Sequence, residues 1–452
     1  VSGFDFIEAC KAAIAIDSTS EHGNHDYVAF LKTILSKFDL KIRTQDVSDQ
    51  GYRGINLICE KGGGPDVILF DTHLDTVSPG DPSLWTETGG DPYRATIRDG
   101  KIFGLGSADV KLDFLCKLKA LEPYVGRRFR NRFILLGTFG EEVGLLGAQA
   151  FLDDYQGQLD FALIGEPTQL KLVNRHKGRG CYEFQIPTKR VKPFEETIEI
   201  RFSGEAAHSS TPEKGTNAID LAMDYLSGLD CHPTHLSIEG GHLLNIVPES
   251  CRVVVPASAD LPGAPAAAIL SRHTGAQALP SAGELFKFWA RMRKLRETVA
   301  GETTWVCATA RTRAIGDESP GFLFQFDSRF WEDAESVKDG HLSGPRGRSG
   351  VTCRVIRKTP SFFEASTMWY VEGLCGALEE SGLAAEFRTK MASTEAALFG
   401  RRCTTLVFGP GPSEGNVHRP NEYNLISELE SAIRAYDAIL RRLVAVPPAR
   451  PG

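Results

Sequence analysis

The sequence predicts an α/β fold, a mainly parallel sheet with helices on both faces, interrupted by an inserted α+β module. Three observations carry that expectation. Helix-like and strand-like runs alternate over residues 1–178. The strand-like runs are continuously apolar, as suits strands covered on both faces. Near Arg179 the texture changes to the alternation of half-exposed strands.

Taken in order, Phe6 to Leu40 has helical spacing, and Lys41 to Phe70 contains the strand-like runs "NLICE" and "DVILF". "DFLCKLKALEPYV" reads as a helix, "RFILLGTF" as a buried strand, "GLLGAQAFLDDY" as a helix and "FALIG" as another buried strand. Such βα units imply parallel strands, whose carboxyl ends collect functional groups. Beyond Arg179, "ETIEIRFSG" and "SCRVVVPAS" read as strands and "NAIDLAMDYLSGL" as a helix. An extra segment near 261–320 holds the basic amphipathic helix "GELFKFWARMRKLRETV", whose Lys and Arg run reads as a solvated face. "HLSGPRGRSG" reads as a flexible loop. From Phe362 come a helix in "STMWYVEGLCGALEESG", a strand in "TTLVFGPG" and the closing helix "LISELESAIRAYDAILRRL"; the tail "VPPARPG" is expected to fray. The partition is therefore 1–178, an inserted 179–356, and 357–452 completing the first domain.

Composition narrows the function. The balance of 51 basic against 58 acidic residues gives −7, which provides no general electrostatic footprint for nucleic acid. No apolar run is long enough to span a bilayer, and "VSGFDFIEACKAAIAIDSTS" lacks the basic start and continuous apolar stretch of a leader; the missing initiator Met is consistent with processing. The 10 cysteines form no C-x-x-C pair, which argues against a cysteine zinc site or a dithiol and for reduced thiols in a cytoplasmic setting. Any metal must then be held by imidazole and carboxylate.

Candidates for that role stand where strands end. "ILFDTHLDTV" finishes an apolar run with His73 and Asp75, two residues apart and so able to face one site in extended chain. "GLGSADVKLD" supplies Asp109 in a glycine-punctuated turn, "TFGEEVG" Glu141 and Glu142, "LIGEPT" Glu166, and "FGPGPSEGNVHRPNE" His418. Oxygen and imidazole donors without thiolates suit catalytic zinc, cobalt or manganese, and Asp109 is placed to bridge two ions. Adjacent side chains in an extended segment point apart, so one of Glu141 and Glu142 can bind metal while the other takes a proton. Singly, these residues read as a helix cap, polar turns and an exposed imidazole. Together they would have to be unrelated accidents.

These motifs, with "GEAAHSSTPEKGTNAI" and "LNIVPE", resemble the M20 metallopeptidases in their order along nearly the whole chain; "GEPT" and "FGPG" with "HRPNEY" resemble most the acetylornithine and acetyl-lysine deacetylase branch. The resemblance implies a di-zinc exopeptidase-like fold in which the insert is a lid and dimerisation domain. It implies two divalent ions, zinc with cobalt as the alternative, one held by His73 and Glu166, the other by Glu142 and His418, with Asp109 across both. Asp75 would orient His73 by accepting a hydrogen bond from it, and Glu141 would be the general base toward metal-activated water. His208 and Asn245 match the family's oxyanion-stabilising positions, acting by lid closure or across a homodimer interface. Arg329 in "FQFDSRFW" is the candidate for a substrate carboxylate, with Arg252 as its rival. The chain departs from the family pattern at Leu105, Leu112 and Glu395, and at none of these is a ligand lost.

The expected function is hydrolysis of the amide bond of a small N-acyl amino acid. The alternative within the family is an exopeptidase, dipeptidase or carboxypeptidase acting on short peptides. The alternative outside it is a non-catalytic binding protein, which loss of ligands would favour.

Overall fold

The computed structural model describes residues 3–49, 51–188, 191–263, 268–298, 303–315, 319–331, 350–364 and 369–445. The loop expected at "HLSGPRGRSG", apart from Gly350, and the tail "VPPARPG" lie outside them, as does the start of the helix expected at "STMWYV". The chain divides into two compact units, one of residues 1–176, 362–390 and 394–452, the other of 177–361 and 391–393.

The first leg runs through helices α1 (Phe6–Ile14) and α2 (His25–Leu35), then strands β1 (Lys41–Asp49), β2 (Tyr52–Lys61), β3 (Val67–His73), β4 (Thr96–Arg98) and β5 (Lys101–Phe103). It continues with α3 (Lys111–Leu121), β6 (Arg132–Thr138), α4 (Leu146–Asp154), β7 (Phe161–Gly165) and β8 (Leu172–His176). The second unit then holds β9 (Gly178–Pro187), β10 (Val191–Ser203), α5 (Ala218–Ser227), β11 (Ser237–Gly240), β12 (Ser250–Pro256), β13 (Ala268–Pro280), α6 (Gly283–Thr298), β14 (Thr304–Ile315), β15 (Ser319–Phe330) and β16 (Thr352–Thr359). The return leg adds β17 (Phe362–Phe363), α7 (Trp369–Glu380), β18 (Phe387–Lys390), α8 (Ala396–Phe399), β19 (Thr404–Val407), β20 (Tyr423–Leu425) and α9 (Ile426–Leu443).

In the first unit the main sheet has the order β1-β2-β6-β3-β7-β19-β8-β17, with β18 beside β8. Its centre is parallel, with β6, β3, β7 and β19 running together, and β18 runs parallel to β8, whereas β1 pairs antiparallel with β2, and β2 with β6. The reason is local. β1 ends at Asp49 and β2 starts at Tyr52, and so short a link can close only a hairpin. All seven positions of β3 are buried, and its alternate residues serve opposite faces. Ile68 and Phe70 pack in the cluster formed with α1, α2, α3, α7 and α9, while Val67 and Leu69 pack with residues of α4 and α8. Because β3, β6 and β7 are parallel, the residues that follow them emerge at one edge.

One feature of α3 differs from a simple amphipathic helix: it is buried nearly all round, charged residues included. Lys117 Nζ donates to Asp113 Oδ2 (2.7 Å), Thr72 Oγ1 (2.6 Å) and the Asp71 carbonyl (2.5 Å). The Tyr436 hydroxyl donates to Asp113 Oδ1. The i,i+4 spacing of Asp113 and Lys117 makes the pair possible; packing against β3 and α9 makes it necessary, because an unpartnered charge there would be costly.

The second unit is an antiparallel sheet of order β13-β10-β12-β11-β14-β15-β9-β16. Its core is aromatic, with Phe184, Phe324 and Phe326 meeting Phe288 of α6 and Phe324 also meeting Trp289. In the extra segment, α6 buries Leu285, Phe288, Trp289 and Met292 and exposes Lys287, Arg291, Arg293 and Lys294. Its basic run is thus a solvated face, and β13 extends the sheet alongside β10.

Candidate metal centre

β3 delivers His73 to the shared edge, 1% exposed. Its ring is oriented by a backbone group: Nδ1 lies 3.0 Å from the Asp75 carbonyl oxygen and 3.7 Å from the Asp75 carboxylate. The carboxylate was expected to orient His73; instead it accepts the Ser20 hydroxyl (2.7 Å) and the N–H groups of Glu141 (3.1 Å) and Glu142 (3.4 Å). Asp75 therefore secures the Glu141–Glu142 segment, and its carbonyl lies nearer His73 than its carboxylate does. With Nδ1 so engaged, Nε2 is the nitrogen presented to the centre, 3.1 Å from Asp109 Oδ1.

Glu141 and Glu142 sit in a turn, not in extended chain. Gly140 has φ 80° and Leu145 φ 61°, and the Leu146 N–H closes on the Gly140 carbonyl at 3.0 Å. Glycine permits the first of these conformations without strain. The turn places Glu142 Oε1 3.0 Å from His418 Nε2, which is also 3.1 Å from Asp109 Oδ2. Each oxygen of Asp109 thus meets a different imidazole.

The loop bearing Asp109 is held by a residue that sequence reasoning did not single out. Glu422, 1% exposed, accepts the N–H groups of Gly106 (3.2 Å), Ala108 (2.7 Å) and Asp109 (3.0 Å). It lies four residues after His418, so it joins the two loops that face each other across the centre. Burial pushes its carboxyl up to about 7, with Asp109 adding and the three N–H groups opposing. Its signal was in view as the acid ending "HRPNE". Only its loop's fold, which turns Glu422 back onto residues 106–109, revealed its use. Lys111 was likewise missed: burial pulls its ammonium down to about 7, and it donates to the Ile16 carbonyl at 2.6 Å.

The charge pattern is one that a bound cation would fit. Burial would lower both imidazoles, yet Asp109, Glu141 and Asp75 hold His73, and Glu142 and Asp109 hold His418, well above the ordinary histidine range. Burial would raise Asp109, but both imidazoles keep it well below the carboxylate range. Glu141 is pushed well above that range, first by burial and then by Glu142, Glu166 and Asp109 against the pull of His73. Ligand atoms of His73, Asp109 and Glu142 all lie within 4.8 Å of one another. Two imidazoles and several carboxylates, drawn to positive charge and lacking thiolates, fit a divalent zinc- or cobalt-type ion.

Glu166 follows β7, and its Oε2 accepts from Lys390 Nζ at 2.5 Å. Glu395, noted as a departure, accepts the Thr138 hydroxyl (2.9 Å) and interacts electrostatically with Asp71; burial raises both carboxyls, Asp71 to about 6.

The remaining candidates lie in the second unit. His208 and Asn245 come together there: His208 bridges to Ile246, and the Ser209 N–H donates to the Asn245 carbonyl at 2.9 Å. His208 Nδ1 meets Ser210 Oγ at 2.7 Å. Arg329 is elsewhere on the sheet, 2% exposed, and donates through Nε to Asp327 at 2.7 Å; Arg179 donates to the other Asp327 oxygen, also at 2.7 Å. Arg252 is more open and donates to Glu199 at 2.6 Å.

The family model described as peptidase family M20/M25/M40 matches residues 69–442. Acetylornithine deacetylase of Proteus mirabilis is 33% identical over 221 residues, 49% of this chain and 52% of the relative. That of Photorhabdus laumondii is 33% identical over 230 residues, 50% and 54%. The chain thus spans about half the length of the curated relatives it matches. Among solved structures, an aminoacylhistidine dipeptidase from Vibrio alginolyticus has a TM-score of 0.62 at 17% identity, covering 96% of each chain. An M20 family metallo-carboxypeptidase from Sulfolobus solfataricus has a TM-score of 0.61 at 15% identity, covering 97% and 99%. Likeness at such identity concerns the fold alone. Among the described residues, no helix is long and apolar enough to cross a membrane.

Proposed function

The chain belongs to peptidase family M20/M25/M40, and from that premise we propose a metal-dependent hydrolase that cleaves the amide bond of an N-acyl amino acid. The observation that carries the reading is the division of Asp109, with Oδ1 on His73 and Oδ2 on His418. Were two divalent ions, zinc or cobalt, bound, His73 and Glu166 would hold one and Glu142 and His418 the other, with Asp109 available to both.

When bound, such ions supply Lewis acidity to the amide carbonyl and to water. The protein's part is proton handling and orientation. Glu141, its carboxyl raised by burial and neighbouring acids, takes the proton of the attacking water and returns it to the departing nitrogen. Asp75 fixes the turn that holds Glu141. Glu422 fixes the backbone of Asp109. His208 and Asn245 act as oxyanion donors, by lid closure or across a homodimer interface. Arg329 is preferred to Arg252 for the substrate carboxylate, since its guanidinium is buried and held in one orientation by Asp327. The free cysteines support a reducing, cytoplasmic setting.

The deacetylase relatives favour acetylornithine as the first substrate to try. The second reading, a dipeptidase or carboxypeptidase of short peptides, draws on the peptidases that share the fold. Element analysis of the purified protein, followed by assays of acetylornithine, acetylcitrulline, succinyl-diaminopimelate and simple dipeptides with zinc or cobalt, separates them. The expected result is metal-dependent release, fastest from an acylated amino acid. Faster cleavage of dipeptides selects the second reading, and a metal-free protein inert throughout rejects both.

A further inference from the structure

The two sides of Asp109 are not equivalent. On the His418 side the carboxylate of Glu142 meets an imidazole. On the His73 side the carboxylate of Glu166 already has a cation, since Lys390 Nζ lies 2.5 Å from Oε2, with the two side chains only 12% and 5% exposed. The position of Lys390 is set by backbone: β18 lies parallel to β8 with Lys390 opposite His176. Its ammonium is also close enough to Asp109 and Glu141 to feel both charges. A buried ammonium and a buried carboxylate hold each other, because removing either leaves the other without a counter-charge.

A divalent ion at Glu166 would have to share that carboxylate with a positive neighbour, and like charges repel. Resting on the metal-centre reading above, we propose that Lys390 competes with metal for Glu166. One ion is then held firmly by Asp109, Glu142 and His418. A second enters at His73 and Glu166 only as the Lys390 ammonium is pushed aside, so Lys390 sets the metal concentration at which the centre becomes dinuclear.

The test is zinc binding by the full chain, measured by equilibrium dialysis against buffered free zinc with element analysis, for wild type, Lys390→Met, Lys390→Gln and Lys390→Arg. Wild type should fill in two steps separated by about tenfold or more in free zinc. Either neutral variant should bring the second step to lower zinc by a similar factor, while Lys390→Arg keeps it weak. Glu166→Gln should remove only the second step. Coincident steps in wild type, a second step unmoved by the neutral variants, or loss of the first step in Glu166→Gln overturns the proposal while leaving the metal centre in place. If the neutral variants do not fold, as read by circular dichroism, the wild-type and Glu166→Gln isotherms decide. Absence of zinc from every form rejects the metal-centre reading itself.

Discussion

Thr72 and His73 are neighbours on β3 that face opposite ways, and each serves a different kind of buried charge. Thr72 joins Asp113 and Lys117, a pair of opposite sign completed by hydrogen bonds from Thr72 and Tyr436. His73 joins Asp109, with Asp75, Glu141, Glu142 and Glu166 close by, and, among the described residues, Lys390 and two imidazoles to set against these acids. The first cluster is balanced within the chain and locks α3 and α9 to the sheet. The second carries a surplus of acids that raises its imidazoles and, together with burial, the carboxyl of Glu141. A balanced buried pair is explained by folding, whereas a surplus calls for a cation from outside.

Four measurements sharpen or break that contrast. The largest effect is expected for Glu141→Gln, with turnover falling about 10²- to 10⁴-fold while bound metal stays at the wild-type level. Undiminished turnover would remove Glu141 as the base. Next, Lys117→Met should lower unfolding free energy by about 3–5 kcal/mol in urea titrations, since it strands Asp113; its metal content should not change. If zinc binding fell with stability, the two clusters would not be separate. Third, zinc at about 100 times its dissociation constant should stabilise wild type by about 2.7 kcal/mol. Asp109→Asn should gain nothing from zinc, and an equal gain would place the ion elsewhere.

The smallest effect concerns a paired charge in the second unit. Burial opposes ionisation of Asp327, but Arg179 and Arg329 hold its carboxyl below the usual range. A depressed native pKa contributes stability that is complete above the unfolded value, about 3.9, and is lost as pH falls through the lower native value. The stability gap between wild type and Asp327→Asn should therefore be constant near neutrality and narrow on acidification, at about 1.4 kcal/mol per unit of depression. A gap that widens in acid would contradict the assignment.

Much of this was legible before the structure. The apolar runs ending in His73, Glu141 and Glu166 place those residues at strand ends, because continuous burial and a chain break are both written locally. Three things were not legible. Glu141 and Glu142 lie in a turn whose conformation depends on Gly140 and on the N–H groups drawn to Asp75. Nothing local in the helical run marks Asp113 and Lys117 as a buried pair, yet α3 has no exposed face to put them on. Lys390 stood in no motif; its role exists only because β18 sets it beside the end of β7.

The amino-acid order by itself determined the alternation of buried strand and helix, the interruption near Arg179, and the kinds of donor available for a metal, since hydrophobic period and side-chain chemistry are local properties. Tertiary structure alone decided which carboxylate meets which imidazole, that the Asp75 carbonyl orients His73, and that a lysine stands at Glu166. Those outcomes depend on loops distant along the chain meeting at one sheet edge, where distances of about 3 Å select partners that no spacing along the chain specifies.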